Sequence, residues 1–161
     1  MNCTTIEQSK KLVELGLDPQ TADAWWCEVQ PLKQVGMSLQ LEPDGEPYVS
    51  LSLTKRERLG VANYKDIPAW SLEALLEAIP QSIQKWDDGS RSRKNYELNL
   101  FRSYYHCCSY SFGPSLKEEN HDSLCCFGED TWLNAVYKVA LWLAEKGWLT
   151  CKREKGNWVM V

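Results

Sequence analysis

One stretch constrains this chain more than any other. From an Asp130 cap to Lys146, closed by Gly147, the sequence reads as a helix in which Trp132, Leu133, Ala135, Val136, Tyr137, Val139, Ala140, Leu141, Trp142 and Leu143 leave a narrow polar strip at Asn134, Lys138 and Glu145. A helix that is apolar around most of its circumference has to be covered on most sides. It is either the centre of the fold or it lies against a partner. At 161 residues, 43% hydrophobic and 25% charged, the chain is long enough to build a core around it. We read residues 1–161 as one domain.

The flanking patterns supply the rest of that core. Thr4-x-x-Glu7 and Thr5-x-x-Gln8 both fit a capping box, with Ile6, Leu12, Val13 and Leu15 on the apolar side and Gly16 as the stop. Asp18-Pro19 reads as a second helix start running to about Glu28, which makes an antiparallel pair. Ser71 is a third N-cap, preceded by Trp70 and followed by a stripe of Leu72, Leu75, Leu76 and Ile79 up to Pro80.

Period-two alternation marks the strands. Met37, Leu39 and Leu41 are expected to pair with Val49, Leu51 and Leu53 in a hairpin across Glu42–Glu46. Further strands are predicted at 82–86, 96–102 and 104–112, with a loop at 87–95, an irregular stretch at 113–129, and a last hairpin from 148–152 and 157–161. These elements predict an α+β fold. A largely antiparallel sheet is packed by N-terminal helices, a central Trp-Ser-Leu helix and the long apolar C-terminal helix.

The N-terminus lacks the basic start and apolar run of a signal peptide, and no stretch approaches 18 apolar residues. Seven cysteines, an odd number without a secretion signal, read as free thiols in a reducing compartment. The expected location is cytoplasmic, with no membrane partner. Net charge is −4, which opposes nucleic acid at long range.

His106, Cys107, Cys108, His121, Cys125 and Cys126 are the nearest approach to a metal centre. Zinc wants four converging ligands, and adjacent cysteines on a strand point to opposite faces, so we expect no metal and no cofactor. A cysteine nucleophile needs a thiolate lowered by a neighbour, and His106 beside Cys107 falls on the wrong face. No phosphate-cradling glycine motif or calcium loop is present. The residues lean away from catalysis and name no catalytic group.

Eight Trp and seven Tyr are many for this length. Trp25-Trp26 and Tyr104-Tyr105 are adjacent pairs, so within an element one of each pair is turned from the core. These four residues are the candidate interaction surface, for another protein or a second copy of the chain. Lys152, Arg153 and Lys155 in the last hairpin would meet phosphates if the C-terminal helix and hairpin formed a nucleic-acid-binding wing. The helix is too apolar for a major groove, which counts against that alternative. A small hydrolase or metal-dependent enzyme is the other alternative.

Residues 8–23 (Gln8-Ser9-Lys10-Lys11 to Thr21-Ala22-Asp23), 67–76 (Ile67-Pro68-Ala69-Trp70-Ser71 onward) and the helix pattern from Asn134-Ala135 to Trp142-Leu143 resemble small proteins of gut Bacteroides and of their phages and integrated elements. The layout is also loosely similar to phage α-β-α sandwich domains. The resemblance covers about half the chain and implies the order of helical start, Trp-Ser-Leu helix, Tyr-rich sheet and final helix. It further implies a phage or mobile-element origin and an accessory binding role. It carries no activity and transfers no catalytic residue.

Overall fold

The structure, a computed structural model, describes residues 2–29, 31–42, 44–46, 48–52, 66–86, 92–112, 122–149, 152–154 and 157–159. The long apolar helix, α3 (Trp132–Glu145), is where the sequence places it. Its N-cap is Thr131 and not the expected Asp130, because the Thr131 hydroxyl is the one that accepts from the Asn134 N–H, and Gly147 takes a positive φ just beyond the C-terminus. Leu133, Ala135, Val136, Val139, Ala140 and Leu143 are all buried.

Its cover is an antiparallel four-stranded sheet in the order β6 (Ser82–Trp86), β7 (Arg93–Arg102), β8 (His106–Phe112), β9 (Asp122–Glu129). The helix lies on β8 and β9, and α2 (Leu72–Ala78) and α1 (Ile6–Glu14) pack beside it. Ile83, Tyr96, Cys108 and Tyr110 turn from the sheet into this core, and Leu98, Cys125 and Phe127 line its margin. The Tyr110 hydroxyl, buried with the ring, donates to the Pro80 carbonyl and so satisfies its one polar atom.

A second sheet has the order β4 (Tyr48–Ser52), β1 (Ala24–Val29), β5 (Ile67–Ala69). Two hairpins stand apart from both sheets, β2 (Leu32–Val35) with β3 (Ser38–Leu41), and β10 (Lys152–Glu154) with β11 (Asn157–Val159). The class is α+β, as expected. No helix among the described residues is long and apolar enough to cross a membrane.

Four local expectations are corrected. The second N-terminal helix is a single 3-10 turn, Pro19–Thr21, started by Asp18. The Ala-Trp-Trp-Cys-Glu-Val run after it is strand β1, where aromatic and branched side chains suit a pleated surface better than a helix. The expected 37–53 hairpin is absent. Gly36, at φ 65, opens a two-residue turn that pairs β3 back onto β2, while β4 pairs with β1. Residues 122–129, expected to be irregular, form β9, with a register shift between Tyr110 and Ser111. Residues 93–95, assigned to a loop, extend β7, with Arg93 opposite Trp86.

In α1 the capping box is that of Thr5 and Gln8, and Val13 is exposed. Thr4 has another task. It and Ser9 are fully buried and share a hydrogen bond of 2.8 Å.

Candidate interaction surfaces

β7 and β8 are joined by Ser103, Tyr104 and Tyr105, with Arg102 paired to His106 across the turn. The turn is tight, because the Ser103 N–H donates to the Tyr105 carbonyl at 3.0 Å. Tyr104 is 98% exposed and Tyr105 56%.

The base of the turn is closely packed. A Cβ on Gly128, in the neighbouring strand, would come within 3.3 Å of the Tyr105 Cβ and 3.4 Å of the Cys107 Sγ. Glycine at 128 is what lets Tyr105 lie this close to β9. On the other face the His106 ring meets Trp132 edge-on, centroids 4.9 Å apart, which ties the tip to the first turn of α3.

The tryptophan pair is different. Trp25 and Trp26 are both half-buried in β1. The Trp26 indole N–H donates to the Thr4 carbonyl at 2.9 Å, so its polar atom is spent on holding the N-terminus. The Trp pair lies in the three-stranded sheet and the Tyr pair in the turn at one end of the four-stranded sheet.

Four cysteines fall on β8 and β9, two to each face. Cys108 and Cys125 face the core. Burial pushes the Cys108 thiol up to about 12 and the Cys125 thiol to about 11, so neither is a thiolate at neutral pH. Cys107 and Cys126 share the other face, and burial followed by the neighbouring Cys107 raises Cys126 as well. Among the described residues no three His, Cys, Asp or Glu side chains are grouped to hold a metal. His121 lies outside the described residues. So does Lys155, whereas Lys152 and Arg153 fall on β10.

Sequence reasoning missed two features. The first is a polar clasp at the sheet's far end, where Lys94 Nζ and the Tyr96 hydroxyl both reach Asp122 Oδ2 at 2.9 Å. Those hydrogen bonds, that of Lys94 first, hold the Asp122 carboxyl below its usual range. The second is hairpin β2–β3, exposed at every residue, with Leu32 57%, Leu39 68% and Leu41 62% open to solvent. The alternation of Leu39 and Leu41 was legible, but alternation signals a half-buried strand, and here neither face is covered.

No family model, curated protein or solved structure matches this chain.

Proposed function

We propose that this chain is a cytoplasmic, non-enzymatic binding protein, an accessory factor of a phage or mobile element, that engages a partner protein through the tyrosine tip of its four-stranded sheet. The observation that carries the reading is the exposure of Tyr104 and Tyr105 on a tight, hydrogen-bonded turn. A tyrosine loses few rotamers on docking and offers a large amphipathic face, which is why aromatic residues are enriched at interfaces. Arg102 and Leu100, both exposed, lie beside the tip and extend that surface.

The provenance is supported by the resemblance of residues 8–23, 67–76 and 134–143 to small Bacteroides and phage proteins. The cytoplasmic reading is supported by the free cysteines among the described residues of an acidic chain.

The test is affinity capture from native host lysate, run with and without nuclease, using wild type and Tyr104→Ala. A protein captured by wild type after nuclease treatment and lost with Tyr104→Ala supports the reading. Capture that disappears with nuclease would transfer the role to nucleic acid. Capture indifferent to Tyr104→Ala would remove the tip from the interface.

A further inference from the structure

We infer that hairpin β2–β3 joins two copies of this chain by antiparallel pairing of β3 with β3 of the second copy, around a two-fold axis at Gln40. The hairpin's hydrogen-bond parity decides which backbone groups face outward. The Glu42 N–H donates to the Pro31 carbonyl at 2.9 Å, and Leu32, Lys33, Gln34 and Val35 pair in turn with Leu41, Gln40, Leu39 and Ser38. Pairs in an antiparallel ladder alternate between bonded and non-bonded. Lys33–Gln40 and Val35–Ser38 are therefore the bonded pairs. The backbone N–H and C=O groups of Leu39 and Leu41 point away from β2, along a strand open to solvent at every residue.

That outward row is complementary to itself. With Gln40 opposite Gln40 of the second copy, Leu39 stands opposite the second copy's Leu41, and each such pair exchanges two hydrogen bonds. All four outward groups on each strand find partners. Because side chains alternate by twos, Leu32, Leu39 and Leu41 from both copies then form one continuous apolar face. A two-stranded hairpin is marginal alone, whereas four strands with an apolar face are not.

Charge selects both the edge and the partner. The other edge, β2, has its outward groups at Leu32 and Gln34, so the same symmetric pairing there would set Lys33 against Lys33. Like charges directly opposite are destabilising. β3 reads Ser-Leu-Gln-Leu and carries no charge, so this pairing sets no like charges directly opposite each other, and the glutamine amides at the axis can bond each other. The edge also lacks the proline, lysine or bulge that would guard it.

Sedimentation velocity across a concentration series tests this, with Leu39→Pro and Gln40→Lys. Leu39→Pro removes an outward N–H and no bond within the hairpin, and Gln40→Lys puts two cations at the axis. Wild type is expected to approach twice the 18.6 kDa of one chain, with both variants remaining single. Under mild oxidation Gln40→Cys should give a covalent dimer that wild type and Lys33→Cys do not, since a directly opposed non-bonded pair lies within disulfide reach. A wild type that stays monomeric at every concentration overturns the inference, including one that instead adds an extended peptide of another protein. A dimer indifferent to both variants and without the Gln40→Cys crosslink overturns it as well. Tyr104→Ala leaves this dimer intact, so the outcome is separate from that of the tyrosine-tip reading.

Discussion

Thr4 and Trp70 hold each other's backbone across 66 residues of chain. The Thr4 N–H donates to the Trp70 carbonyl at 2.9 Å, and the Thr4 hydroxyl accepts the Trp70 N–H at 3.0 Å. The Trp70 ring is fully buried, and its indole N–H reaches the Thr21 hydroxyl at 2.9 Å. One threonine thus fixes the N-terminal segment, β1 (through Trp26) and the approach to α2 in a single knot.

Thr4→Val keeps the shape and removes the hydroxyl. It leaves the Trp70 N–H without its acceptor in a buried site and takes away the partner of the Ser9 hydroxyl. The expected loss is about 1–3 kcal/mol, read as a lower urea midpoint with an unchanged slope. An unchanged midpoint would mean that the knot adds nothing to stability.

Asp23 caps the cap of α2. Its carboxylate accepts the Ser71 N–H at 2.8 Å and the Ser71 hydroxyl at 2.5 Å, while the Ser71 Oγ accepts the Ala74 N–H at 3.2 Å. Ser71→Ala should cost about 1 kcal/mol as the loss of an N-cap. Because Asp23 acts through that hydroxyl, Asp23→Ala and Ser71→Ala should be less than additive in a double-mutant cycle. Simple additivity would show that the two side chains work independently.

Asp122 gives the fold a defined acid sensitivity. Its folded pKa is depressed, so its contribution is complete above the unfolded value of about 3.9 and is lost as pH falls through the folded value. The pair is partly exposed, which limits Asp122→Asn to about 0.2–1 kcal/mol at neutral pH. That difference should shrink toward zero as pH falls through the folded value, where the wild-type carboxyl is also protonated. A carboxyl titration followed by NMR should place Asp122 below the ordinary aspartate value, and a midpoint at or above that value would contradict the clasp.

The cysteines of β8 and β9 should separate by accessibility. Alkylation at pH 8 followed by peptide mass spectrometry is expected to mark the exposed Cys126 first. Cys108 and Cys125, held protonated by burial, should react only when the chain is unfolded in guanidinium. Early modification of Cys108 would place that face of the sheet in contact with solvent.

Much of this architecture was legible because its signals are local. The Thr5–Gln8 capping box, the Ser71 cap, the stop at Gly147 and the apolar circumference of Trp132–Glu145 each lie within a few turns of chain, and the structure carries them all. The strand at Ser82–Trp86 was read from the same short-range patterns, whereas Tyr104 and Tyr105, expected in a strand with one side chain turned outward, are both exposed in the turn before β8. Pairing is another matter. Alternation at Leu39 and Leu41 states that a strand forms there, and nothing in it chooses β2 over β4 as the neighbour. Asp18-Pro19 starts a helix in any local reading, yet the chain leaves that turn at once because Ala24–Val29 gains two strand partners and Asp23 a buried serine.

The three α-helices, the Thr5 and Ser71 caps and the alternating segments follow from local order along the chain, since those depend on torsional preference and on side chains three or four residues apart. The tertiary structure alone decided which edges pair, that Thr4 and Ser9 are buried as a polar pair, that Asp122 meets Lys94, and that β2–β3 is left uncovered. Each of those outcomes is a competition between groups far apart in the chain. It is settled by which backbone and polar atoms can be satisfied together once the apolar helix has been enclosed.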